Sequence, residues 1–220
     1  MTNTNHETRQ GLITFLLITF ALSTVFYVLI GMAGTVEAGG GLYILGMMWC
    51  PGVAAILTRL LHQGNLRGIG WRWGESRYEV LGYVLPTLLG ALIYVPVWLA
   101  GLGQLPNASF VEHMAGRMGL SATSPIPVIL RHLLSVGTVG VLSGAVSALG
   151  EEIGWRGYLV PALFKITDFT RTALMSGLIW AVWHFPGIIF ADYSSGAPTW
   201  YALICFTVFI VGDSFVLTWL

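Results

Sequence analysis

Long apolar runs alternate with short polar breaks along the chain, and their lengths predict helices that cross a membrane. After a polar tail, Met1 to Gln10, the run from Gly11 to Gly34 is the first span. It is longer than a signal-peptide core and lacks a clear cleavage site, so it reads as uncleaved. Leu42 to Leu61 is the second span, with a kink predicted at Pro51-Gly52. Val80 to Gly103 is the third, with Pro86 and Pro96 inside it, and the fourth runs from Val128 to about Leu159, before Pro161. Thr172 to Ile189 and Thr199 to Leu220 are the fifth and sixth. Between them lie a Gly-rich turn at Glu37 to Gly41 and polar connections at Gln104 to Pro127, Lys165 to Arg171 and Phe190 to Pro198. His62 to Glu79 is the most polar segment. Its Arg67, Arg72 and Arg77, with Trp71 and Trp73, set it along the membrane interface. No repeat and no soluble domain interrupt the pattern. The prediction is an all-α polytopic bundle, one integral membrane domain over residues 1–220.

Composition agrees. Charged residues are 9% of the chain against about 25% in a soluble domain, and the mean hydropathy is +0.77. The formal net charge is zero and no basic run occurs, so nucleic acid is not a predicted partner; the bilayer is. Cys50 and Cys205 lie in separate apolar runs and read as small buried hydrophobes. An N-inside orientation gathers Arg9, Arg59, Arg67, Arg72, Arg77, Arg156, Lys165 and Arg171 on the cytoplasmic side and leaves Arg117 and Arg131 on the other. The expected location is a bacterial plasma membrane with the N terminus in the cytoplasm.

Within this apolar setting, Glu151-Glu152-Ile153-Gly154-Trp155-Arg156 stands out. From Ile126 to Gly150 the only ionisable side chains are Arg131 and His132. A charge at membrane depth costs roughly 2.5–3.5 kcal/mol on insertion scales and usually faces a protein interior or cavity. Glu152 and Arg156 are i,i+4 neighbours and can pair, whereas Glu151 points about 100° away with no local cation. One glutamate is thus read as paired and orienting, the other as free to act as a base, with both in the cytoplasmic half of the bundle. His184 is the second candidate. It shares a helix face with Trp180, and an imidazole beside a desolvated glutamate can share its proton or bind the same water. Asp213, mid-span, is read as a partner of His184, a local backbone bond or a helix-contact marker. His6, His62, His113 and His132 have no companions at ligand spacing. Glu151 and His184 are the residues that would hold a divalent metal. Zinc takes three protein ligands plus water, so the sequence does not itself indicate one.

The pattern Glu151-Glu152-x-x-x-Arg156 followed by Trp180-x-x-x-His184 on successive spans resembles the CPBP family of intramembrane proteases, also called Abi or type II CAAX prenyl proteases. The family-like core is about residues 127–220, and the family commonly has Phe where Trp180 stands. The resemblance implies that Glu151 activates the attacking water, that Glu152 and Arg156 hold the helix and the base, and that His184 binds water or stabilises the oxyanion. It implies cleavage of membrane-associated substrates near the cytoplasmic side, prenylated CAAX-type or bacteriocin-type, by a glutamate mechanism needing no cofactor. Zinc belongs to the older, metalloprotease view of the family. A further motif, His followed four residues later by Asn or a similar residue, is usual in a last span. No residue up to Leu220 can be assigned to it, so the expectation is a truncated copy or fragment with impaired activity, or a shortened member that works otherwise, with one or two further spans in a full-length relative. The alternative is a non-catalytic bacteriocin self-immunity protein. A proton-coupled transporter would be expected to carry inverted repeats, and none is visible.

Overall fold

The computed structural model describes residues 2–67, 74–121, 124–191, 193 and 196–219, and among them the ordered elements are helical. Arg72, Trp71, Trp73 and Asp192 lie outside the described residues. Six helical stretches are long and apolar enough to cross a membrane, which makes this an integral membrane protein. Helix α1 covers Thr2–Ala33, so the polar tail continues the first span as helix. A turn of 3₁₀-helix, Ala38–Gly41, follows, where Gly39 and Gly40 take positive φ. Helix α2, Leu42–Gln63, runs unbroken through the expected kink at Pro51-Gly52. Helix α3 is Ser76–Leu99.

The expected polar loop holds a helix of its own, α4, Ala108–Met118. The Asn107 side chain accepts from the Phe110 N–H and so caps its start, while Val111 and Ala115 on one face pack with Val128. From Pro125 to Phe164 the chain is continuously helical. It comprises α5 Pro125–Ser135, a π-helical turn Val136–Gly140, α6 Val141–Gly154, a second π turn Trp155–Leu159, and α7 Val160–Phe164. Pro161 does not end the helix as predicted. A proline clashes with the turn before it, and here that turn is the wide π turn, closed by the Val160 N–H on the Trp155 carbonyl. Helices α8, Phe169–Phe190, and α9, Thr199–Trp219, complete the order.

The chain divides into two compact units, Met1–Trp71 with Ala145–Leu220, and Arg72–Gly144. In the first, α1 packs along α2 and α8 along α9, around a core that includes Phe15, Ile30, Trp155, Leu159 and Trp183. In the second, α4 packs with α5 over a small core of Val111, Ala115 and Val128. Large apolar side chains such as Leu17, Leu92 and Val208 stand exposed on the helix surfaces, where lipid replaces water. Cys50 is buried as expected, but Cys205 is exposed, on a helix face that carries Val208 and Phe209 outward as well.

Candidate active site

The Glu151 segment is held by glycines. A Cβ at Gly150 would stand 2.6 Å from the Trp49 Cα, and one at Gly154 would stand 2.3 Å from the Pro51 Cβ. From the other side, a Cβ at Gly52 would stand 2.7 Å from the Gly150 carbonyl oxygen. The backbones of α2 and α6 therefore touch, as small residues four apart allow in membranes. The Trp49 indole N–H also donates to the Val146 carbonyl at 3.1 Å. The two acids are thus carried on the most tightly seated stretch of the fourth span.

Their depth differs from expectation. Met48 to Pro51, against which the pair packs, lie about 9–14 Å from the start of α2 and about 18–23 Å from its end. Apart from Arg156, the described cations of this unit, Arg9, Arg59, Arg67, Lys165 and Arg171, gather at the other end. The Glu pair therefore sits in the half away from the cations, not in the cation-rich half. The helix continues past Pro161, which puts Glu151 further from its end than the sequence suggests. Arg156 is likewise no interfacial cation: its side chain is only 17% exposed and pairs with Glu152 at 3.1 Å.

Glu151 is not the free carboxylate that its lack of a local cation suggests. It is 5% exposed, and its Oε2 accepts from the indole N–H of Trp155 at 3.2 Å and of Trp180 at 2.6 Å. Among the described residues no donor bonds Oε1, which leaves that oxygen as an acceptor. Trp180 has a second task, since its ring face covers the Arg156 guanidinium at 4.1 Å. Arg156 Nη2 is buried with no hydrogen-bond acceptor among the described residues, and this ring supplies its compensation. One indole thus touches two members of the motif, Glu151 and Arg156, on the neighbouring span.

His184 places Nδ1 3.0 Å from the Trp180 carbonyl. The carbonyl has no proton, so Nδ1 donates, and a neutral ring then carries its lone pair on Nε2. The imidazole packs between Trp183, Phe206 and Tyr193. Trp183 is fixed in turn. Its indole donates to Ser23 at 2.8 Å, and its carbonyl accepts from the Tyr27 hydroxyl, beside the Val182 carbonyl that Pro186 deprives of an N–H partner.

Glu151 and His184 line one cavity of about 540 Å³, mouth included, whose other walls include Tyr27, Ile44, Met47, Pro186 and Tyr193. It reaches the loop end of the bundle at Val36 and Tyr193. Burial pushes the Tyr193 phenol up, and the Glu151 charge adds in the same direction, so the phenol stays protonated and able to donate at neutral pH. Asp213 is not joined to His184 by any described bond. It lies within electrostatic range of Arg156 and Glu152, while its neighbour Ser214 bonds Ser176 at 2.8 Å. Among the described residues no three His, Cys, Asp or Glu side chains cluster as a metal would need. Glu151 and His184 fall short of the three protein ligands of zinc, and Oε2 already holds two N–H groups.

Sequence reasoning missed Trp155, Trp180 as a donor, Tyr27 and Tyr193. Trp155 was within reach, being i,i+4 from Glu151; the others depend on packing between spans.

Residues 135–220, which include all four candidate site residues, match the family model described as type II CAAX prenyl endopeptidase Rce1-like. Over 191 residues the chain is 25% identical to CAAX prenyl protease 2 of Methanococcus maripaludis. That alignment takes in 82% of this chain and 65% of the relative's own length. No solved structure matches.

Proposed function

We propose, because residues 135–220 match the type II CAAX prenyl endopeptidase Rce1-like family model, that the chain is an intramembrane endopeptidase whose base is Glu151. The observation that carries this reading is a buried glutamate bonded through one oxygen to two indoles, on the wall of an apolar cavity shared with His184. The indole bonds fix the carboxylate plane and leave Oε1 to accept a proton from water. His184, held through Nδ1, offers Nε2 as a second acceptor that orients the same water. The water oxygen attacks the scissile carbonyl carbon as Glu151 takes its proton. That proton passes to the leaving nitrogen, the C–N bond breaks, and a carboxylate and an amine leave. Glu152 and Arg156 act at one remove, setting the helix and the Trp180 ring. The residues present do not complete a zinc site, and no step here is routed through a metal.

The walls support a substrate class. Tyr27, Ile44, Met47 and Pro186 favour a membrane-associated peptide with apolar side chains beside the cut, as in a prenylated CAAX-type or a bacteriocin-type substrate. We also place the N terminus in the cytoplasm of a bacterial plasma membrane, from the cation count. The cavity then opens on the outer half. A cysteine introduced by Val36→Cys should react with a membrane-impermeant maleimide in intact cells; labelling only after permeabilisation would reverse the orientation and turn the cavity to the cytoplasm.

The activity itself is tested by reconstituting the protein with a prenylated CAAX peptide or a bacteriocin precursor in H₂¹⁸O. Hydrolysis should place one ¹⁸O in the new carboxylate, read by mass spectrometry. Intact peptide with both substrates would sink the proposal.

A further inference from the structure

A second cavity, of about 770 Å³, lies between α1, α2 and α7 at the cation-rich end of the same unit, away from Glu151. Its walls bring together Arg59 and His62 from α2, Lys165 just after α7, and the polar groups of Thr8, Gln63 and Tyr158. One acid, Glu7, shares the wall. The donors are held in place. Arg59 lies 5.8 Å from the centre of the Tyr158 ring, and its Nη1 donates to Gln63 Oε1 at 3.3 Å and to the Arg67 carbonyl. His62 Nε2 is 3.0 Å from Thr14 Oγ1. A Cβ on Gly11 would come 2.6 Å from the Tyr158 hydroxyl, so the missing side chain makes room for that hydroxyl at the wall. Two permanent cations thus face one acid in one recess.

We propose that this cavity binds a phosphate oxyanion, carried on an anionic lipid headgroup or free in solution. Arg59, its Nη1 anchored within the protein, brings a permanent guanidinium charge to the wall, and Lys165 adds a point charge on a flexible stem. Basic pockets between transmembrane helices at the cytoplasmic side take anionic headgroups for this reason. The site is separate from the Glu151 cavity, and the proposal does not depend on the peptidase reading.

The test titrates the full chain in neutral detergent with three probes: a short-chain phosphatidylglycerol, the matching diacylglycerol, and inorganic phosphate. Binding should be seen with phosphatidylglycerol and not with diacylglycerol. Lys165→Gln should weaken it about fivefold, and Glu7→Gln should tighten it by a similar factor. Both residues are exposed, so neither variant should disturb folding, which thermal midpoints would check. Arg59→Gln should weaken binding further. If inorganic phosphate competes, the oxyanion alone suffices. If it does not while phosphatidylglycerol still binds, the ligand is a lipid. Equal binding of diacylglycerol, or affinities unmoved by both Lys165→Gln and Glu7→Gln, would overturn the proposal.

Discussion

The two units of this chain are equally apolar in sequence and unlike in packing. The unit of Met1–Trp71 with Ala145–Leu220 buries Trp155 and Trp183 completely or nearly so, and seats Gly150 and Gly154 against the backbone of α2. It also buries polar groups, Ser23, Thr19, Ser176 and Glu151 among them, and gives each of these a hydrogen-bond partner. In the unit of Arg72–Gly144, α3 has no buried residue and the core is three small side chains. Hydropathy measures what a helix can dissolve in. It does not measure what the helix packs against. In a bilayer the two separate, because lipid is as apolar as leucine and close approach depends on small residues and hydrogen bonds.

The contrast is sharpest at glycine. Gly154→Ala drives a methyl into Pro51 and should lower stability by about 1–3 kcal/mol or more. Gly90→Ala in α3 meets nothing within 4 Å and should instead add about 0.5–1 kcal/mol by removing a flexible residue from a helix. Thermal midpoints of the two variants should move in opposite directions; equal shifts would erase the distinction between the units.

Tryptophan gives the next contrast. Trp180→Phe, which installs the residue the family commonly has there, removes the N–H on Glu151 and should slow peptide cleavage about 10-fold or more in this chain. Trp98→Phe, on a ring of the other unit that stacks with Tyr94 at 6.0 Å, should leave the rate unchanged. The smallest effect is expected for the ion pairs. Glu152→Gln strips the partner from a mostly buried Arg156, but Glu152 is 44% exposed, so the loss should be about 1 kcal/mol. Glu75→Gln, in an exposed pair, should change stability by less than about 0.5 kcal/mol. A larger loss at Glu75 than at Glu152 would invert the ranking.

The spans were legible because length and apolar content suffice to place them. The Glu152–Arg156 pair was legible because i,i+4 geometry is local. Gly150-x-x-x-Gly154 is equally local and carries the packing signal of a close helix contact. Helix α4 is hard to read because its 11 residues are too few for a span and mix apolar with polar side chains; Asn107, the spacing of Val111 and Ala115, and Gly119 at its end are its marks. The depth of the Glu pair is not legible because a proline ordinarily marks a helix end, whereas at Pro161 a π turn carries the helix through. The bond from Trp180 to Glu151 spans 29 residues and two helices, and no local rule predicts such a meeting.

The central claim is that Glu151, held by two indoles, is the base. The most direct measurement compares the cleavage rates of wild-type protein and Glu151→Gln in the same bilayer. Glutamine keeps the size and an acceptor oxygen for the indoles but cannot take the proton. The rate should fall at least about 100-fold with little change in thermal midpoint. Cleavage by Glu151→Gln at the wild-type rate would contradict the account and shift the weight to a membrane protein that acts by binding alone, such as a bacteriocin self-immunity protein.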